Sequence, residues 1–171
     1  HVYVVGGAVR NFVIDQPIKD IDMMVDALAA GKDSEWVAKR LQAKTANSSL
    51  ATNQYGVAIL TVGSLTVDGV DLSGEVIEIA NARKETYGAG EGKGYKPDSV
   101  ELASAEDDVL RREFSFNTLM WKLSDLADGP DKAEIIDLTG CGLSDLKAGV
   151  MRCPSDPDKT FSDDPTRMLR A

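Results

Sequence analysis

Four groups of residues in this sequence have the types and spacing to do chemistry. The run Val4-Val5-Gly6-Gly7-Ala8-Val9-Arg10 reads as a strand that turns through two glycines into a helix. Such a turn lets the backbone approach a phosphate and aims helix-start amides at it, with Arg10 adding a fork of charged donors. A glycine pair at such a turn also occurs as plain structure. The run has neither the G-x-G-x-x-G of a dinucleotide site nor the G-K-[ST] of a P-loop. The second group is Asp20-Ile21-Asp22. On a strand, residues two apart share a face about 6.6–7 Å apart, a spacing at which two carboxylates can converge on a hard cation such as magnesium. The plain alternative is a solvated strand face, although like charges on one face repel.

The third group centres on Glu78, inside the apolar run Val76-Ile77-Glu78-Ile79. Burying an unpaired carboxylate is expensive. Glu78 is therefore either a third acid of a metal site beside Asp20 and Asp22 or an edge-strand residue facing water, and Glu75 is an equal candidate. The fourth group is Arg111-Arg112-Glu113-Phe114-Ser115-Phe116-Asn117. Two guanidinium groups suit a triphosphate, and the Asn117 amide suits a ribose or a base. A salt-bridged surface helix is the alternative here.

The elements that must position these groups fit within one core. The chain has 171 residues, 43% of them apolar, which suffices for a single globular domain with a short extension. No stretch approaches the roughly 18 consecutive apolar residues of a membrane span, and no signal-peptide pattern is present. His1, with a strand beginning at Val2, fits a chain that starts inside a longer polypeptide. Cys141 and Cys153 are too few and too far apart for a zinc knuckle or a disulfide framework, so a reduced cytoplasmic setting is the default. The net charge of −9 argues against a stand-alone nucleic-acid binder, and phosphate-contacting surface should lie elsewhere in the full protein.

Periodicity predicts strands at Val2–Val5, Lys19–Val25 and Glu75–Ala80, and a helix over Ala8–Ile14. Asp33 or Ser34 caps a helix through Trp36, Val37 and Leu41. Gly56–Val62 and Ser64–Val70, separated by Gly63, form a hairpin on this reading. The glycines and Pro97 between Arg83 and Asp98 predict a mobile loop. Asp107 and Asp108 open a long amphipathic helix through Leu110, Phe114, Asn117, Leu119 and Leu123, with Phe114 on its buried stripe and Ser115 on its polar side. A short strand follows at Ile135-Ile136, a short helix at Leu143–Leu146, and the start of another helix at Asp163–Ala171.

With the closing run Asp164-Pro165-Thr166-Arg167-Met168-Leu169-Arg170-Ala171, these motifs in this order resemble the head domain of the class II tRNA nucleotidyltransferases (CCA-adding enzymes) and the bacterial poly(A) polymerases. The family pattern is G-G-x-V-R-D, D-x-D, a strand E-V-A-T-F-R, R-R-D-F-T-I-N and D-P-x-R-x-L-R-A. Its counterparts here are Gly6 to Asn11, Asp20 to Asp22, Glu78 to Arg83, Arg111 to Asn117 and Asp164 to Ala171. Lys84-Glu85-Thr86-Tyr87 and Gly140 to Gly149 are also similar to family sequence.

The resemblance implies an α+β fold of the polymerase β type, a small mixed β-sheet flanked by helices. It implies a head over residues 1–150, with 151–171 a linker and the start of a neck helix, the remaining domains being absent. Asp20 and Asp22 would hold two Mg2+ ions, with Glu78 helping at the second. Gly6, Gly7, Arg10, Arg111 and Arg112 would cradle the triphosphate, Asn117 the sugar, and Arg167 and Arg170 would also contact the nucleotide. The implied reaction adds nucleotides from CTP or ATP to an RNA 3′ end, tRNA first among candidates and held mainly by domains absent here. Poly(A) tailing is the alternative; a non-catalytic nucleotide-binding module is a more distant one. Asn11 and Glu113 stand where the family usually has Asp, and Ser115 where it has Thr. Asn11 lacks the charge that would orient Arg10.

Overall fold

The computed structural model describes residues 1–67, 69–88 and 97–171. The predicted first strand and helix form as β1 (Val2–Val5) and α1 (Gly7–Val13). The chain reverses into β2 (Ile21–Val25), then α2 (Ala27–Ala30) and α3 (Ser34–Gln42), whose first turn is capped by the Asp33 carboxylate accepting from the Trp36 amide. Two further strands, β3 (Ser49–Thr52) and β4 (Ala58–Thr61), precede a small ribbon of β5 (Thr66–Val67) and β6 (Val70–Asp71). The predicted hairpin of Gly56–Val62 with Ser64–Val70 therefore does not form. β4 pairs instead with β3, an edge strand whose Ser49-Leu50-Ala51-Thr52 carries too weak a pattern to stand out.

β7 (Val76–Asn81) returns to the centre, and β8 (Arg83–Thr86) pairs with β9 (Ser99–Leu102). The loop expected over Arg83–Asp98 is thus a strand at Arg83–Thr86, and residues 89–96 lie outside the described residues. Next come α4 (Ala105–Leu110), β10 (Met120–Lys122), β11 (Ile135–Ile136), α5 (Gly142–Ala148) and α6 (Pro157–Asp163). The long helix expected from Asp107 to Leu123 stops at Leu110. Phe114 is extended (φ −130°, ψ 141°), Ser115–Thr118 is a 3-10 turn, and Met120 and Trp121 pair with β1. Burial overrides helical period here: Phe114 stacks on Phe116 and packs near Phe161, while Leu119 and Met120 are sealed in the core. The closing segment is a 3-10 turn (Pro165–Arg170) behind α6, not the start of a regular helix.

The main sheet runs β11-β10-β1-β2-β7-β4-β3. It is mixed, because β2 and β7 run parallel while the other pairs are antiparallel. One face buries Met23, Val25, Ala58 and Ile79 against Val37 and Ala38 of α3, and Val4 and Trp121 against Ala8 and Val9 of α1. The opposite face buries Val5, Met24 and Met120 against Ala82 and against Ala105 and Val109 of α4. Alternate residues share a face, so Asp22 and Glu78 lie on this second face, two residues before Met24 and Ala80. In the parallel register Asp22 is directly opposite Glu78. Among the described residues no helix is long and apolar enough to cross a membrane. Both cysteines are free.

Ile79 is 0% exposed and Val76 in the same strand is 50% exposed. Ile79→Ala should lower unfolding free energy by about 2–5 kcal/mol in urea denaturation, whereas Val76→Ala should change it by about 1 kcal/mol or less.

Candidate active site

Beyond the end of α4, the second sheet face is left open around its two acids. Asp22 and Glu78 line a cavity of about 360 Å³ with Arg83, Arg111, Arg112 and Arg170. The same four arginines line a second cavity of about 240 Å³, which also takes in Arg167, Tyr87 and Tyr55. The site thus has a carboxylate side and a guanidinium side with a shared wall.

Both acids are exposed at the sheet end. Partial burial pushes the Asp22 carboxyl upward; Arg112 opposes this and Asp20 adds to it. Asp20 itself lies one residue before β2 and is exposed, so the strand does not fix its orientation. Among the described residues no three His, Cys, Asp or Glu side chains gather into a ready-made metal cage. The donors present are carboxylate oxygens, which fit a hard divalent cation held by one or two carboxylates together with substrate phosphates and water.

The arginines are fixed by two buried acids to which the sequence reading gave no part. Asp108 is 0% exposed. One of its oxygens accepts from Arg111 Nε at 2.9 Å and pairs with Arg111 Nη2 at 2.7 Å. The other accepts from Arg112 Nε and Nη2 at 3.1 and 2.9 Å. Burial alone would raise its carboxyl; Arg112 and Arg111 more than offset this and hold it below the usual carboxylate range. Glu85 accepts from Arg83 Nε at 2.9 Å, and lies 3.3 Å from Arg111 Nη1 and 3.6 Å from Arg167 Nη2. Its carboxyl is also depressed: burial acts to raise it, but Arg111, the Tyr87 hydroxyl and Arg83 outweigh that. The Tyr87 hydroxyl donates to Glu85 at 2.7 Å and accepts from Arg167 at 3.2 Å. Burial and that bond to Glu85 push its pKa up to about 12.

A second chain of hydrogen bonds runs behind the wall. Asn11 Oδ1 accepts from Arg10 Nε and Nη2, so a neutral amide still orients this arginine. Arg10 Nη1 donates to Asn117 Oδ1 at 2.8 Å, Asn117 Nδ2 donates to Glu113, and Arg170 donates to the other Glu113 oxygen at 3.2 Å. Arg10 and Asn117 are therefore engaged with each other, and neither lines either cavity. The Gly6 amide is likewise committed, to the Leu119 carbonyl at 3.0 Å. Gly6 has φ +71°, and a Cβ there would lie 3.5 Å from Arg112 Nη1, so the Gly6-Gly7 turn backs the arginine wall. Ser115, expected on a polar helix side, is fully buried and donates to Asp145. The sequence held signals for the missed acids: Asp108 precedes Arg111 and Arg112 by three and four residues, and Arg83 and Glu85 alternate along β8 with Tyr87 just past its end.

A family model for the poly(A) polymerase head domain matches residues 2–152. A CCA-adding enzyme of Ligilactobacillus salivarius is 34% identical over 172 residues, covering 99% of this chain and 34% of that protein. The A-adding tRNA nucleotidyltransferase of Aquifex aeolicus is 32% identical over 169 residues, again 99% of this chain but 17% of that one. Among solved structures, an apo form of a CCA-adding enzyme superposes with a TM-score of 0.70 at 30% identity, over 99% of this chain and 34% of that chain. The overall fold thus has a counterpart in a solved CCA-adding enzyme. The chain belongs to the poly(A) polymerase head-domain family. It spans about a third or less of the length of these relatives.

Asp108→Asn removes the buried charge that two arginines share and should cost about 3–5 kcal/mol. Because Asp108 and Glu85 are depressed in the fold, their contribution is present above the unfolded carboxylate range and is lost as pH falls below about 4. Chemical denaturation across pH should show stability falling on that acid limb in the native protein, with a shallower fall in Asp108→Asn.

Proposed function

We propose that this chain is the catalytic head of a template-independent RNA nucleotidyltransferase, using CTP and ATP to complete the CCA end of tRNA with Mg2+ as its metal. The observation that carries this reading is the shared wall. The Asp22–Glu78 pair and the arginine cavity are joined through Arg83, Arg111, Arg112 and Arg170. A nucleoside triphosphate needs both, cationic hydrogen-bond donors along its phosphates and acids near its α-phosphate. The Aquifex aeolicus relative is an A-adding tRNA nucleotidyltransferase, which favours that substrate. Poly(A) tailing is the second reading, favoured by the family's own description.

On this reading Asp20, Asp22 and Glu78 hold the metal, and Arg111, Arg112, Arg167 and Arg170 take the triphosphate. Bound Mg2+ supplies a more acidic 3′-hydroxyl and charge neutralisation at the leaving pyrophosphate. The RNA 3′-hydroxyl gives up its proton to solvent as its oxygen bonds to the α-phosphorus, the bond from that phosphorus to its bridging oxygen breaks, and pyrophosphate departs in line. The arginines act by position: Asp108 and Glu85 hold them in place before substrate arrives, so little reorganisation remains at the moment of reaction. Arg10, Asn117 and Glu113 support Arg170 and the Gly6-Gly7 turn supports Arg112. Residues 151–171 form the start of the region that follows the head, and the two free cysteines suit a reducing cytoplasm.

In the full-length protein, Asp22→Ala should lower Mg2+-dependent nucleotide incorporation by more than about a thousandfold while leaving the circular dichroism spectrum unchanged. Retained turnover would remove the metal assignment. Primer extension on tRNA lacking its terminus separates the two reactions: a stop once CCA is complete marks tRNA repair, and an open-ended ladder from ATP alone marks tailing.

A further inference from the structure

The cavity that holds the arginines also presents two aromatic rings, and they are differently placed. Tyr87 is occupied: its hydroxyl lies between Glu85 and Arg167, and the Arg167 guanidinium sits 5.8 Å from its ring centre. Tyr55 lines the same cavity, is half-buried, and among the described residues has no hydrogen bond from its hydroxyl and no ring partner.

Its backbone is nevertheless held firmly. Tyr55 sits in the turn between β3 and β4, where Asn53 Oδ1 accepts from the amides of Tyr55 and Val57 at 2.9 and 3.1 Å. Gly56 closes the turn at φ +73°, a left-handed conformation that suits glycine, and its carbonyl accepts from Ser34 Oγ at 3.0 Å. β4 pairs with β7, so the turn is anchored to the strand that carries Glu78. A fixed turn therefore places a free aromatic ring beside a set of guanidinium groups.

We propose that Tyr55 is the platform on which the base of the incoming nucleoside triphosphate stacks. This rests on the reading of the cavity as the nucleotide site. Arginines satisfy the phosphates but leave the flat, largely apolar base uncovered. An unoccupied ring is the surface such a base takes, whichever base it is. Tyr55 is accordingly a substrate-positioning residue that contributes affinity for the nucleoside half of the ligand and nothing to its phosphates.

The test compares CTP, ATP and inorganic tripolyphosphate by calorimetry with Mg2+, using full-length protein with native Tyr55, Tyr55→Phe and Tyr55→Ala. Tyr55→Ala should weaken CTP and ATP about 5- to 150-fold, the range that stacking on one ring supplies, and leave tripolyphosphate within about twofold. Tyr55→Phe keeps the ring and should match the native protein for all three ligands. Unchanged nucleotide affinity in Tyr55→Ala overturns the proposal. So does an equal loss for tripolyphosphate, which would make the turn a support for the arginines. A change confined to the KM for the RNA primer also overturns it, moving the ring to the terminal base of the RNA. Native protein that binds neither CTP nor ATP overturns the nucleotidyltransferase reading and this proposal together.

Discussion

Asp108 is sealed from solvent in the first turn of a short helix, and each of its oxygens faces a different guanidinium group. A lone carboxylate in that position would be prohibitively costly, and two arginines side by side would repel one another. Together they form a compact unit in which each charge makes the others tolerable. Glu85 extends it from the neighbouring strand, drawing in Arg83 and Arg167. Much of the structure serves to bring these acids together. α4 packs on the sheet through Ala105 and Val109, which sets Asp108 in place, and β8 follows directly from the central strand β7. The surplus of guanidinium over carboxylate is what makes the open face attractive to an anion.

The chain as a whole is acidic, with a net charge of −9, yet this wall is cationic. Charge is therefore organised by position and not by composition. The hydrogen-bonded series from Asn11 through Arg10, Asn117 and Glu113 to Arg170 ties the first helix to the last turn. Asn11 and Glu113, which both stand where the family pattern has Asp, belong to it. Glutamate reaches Asn117 with one oxygen and Arg170 with the other. The neutral Asn11 oxygen still receives two Arg10 donors. The substitutions keep the connectivity and alter only its charge.

Elements with strong local signals were legible in the sequence: β1, α1, β2, α3 and β7, each a clear apolar run or a capped amphipathic stretch. The Asp22–Glu78 pair could be anticipated as acids on neighbouring strands, though not their facing register, which depends on pairing between segments far apart in the chain. The region from Leu110 to Lys122 was misread because Phe114, Leu119 and Met120 fit a helical stripe. Their actual partners are Phe161, α1 and β1. Short edge elements such as β3 and the β5–β6 ribbon carry too few residues for a period to show. Asp108 and Glu85 were passed over for a different reason. A buried acid with arginine partners and an exposed acid on a helix look alike until burial is known.

The parallel pairing of β2 with β7 has a consequence for how such a protein can vary. Parallel neighbours cannot be joined by a tight turn, so residues 26–75 make a long crossover through α2, α3, the β3–β4 pair and the β5–β6 ribbon. That crossover can lengthen or shorten in its loops without disturbing the level at which Asp22 meets Glu78. One residue gained or lost within either strand would turn its acid to the opposite side of the sheet, into the space filled by α3. Tolerance to insertion should therefore change abruptly along this chain, generous between Asp26 and Glu75 and absent over the few residues that carry the two carboxylates.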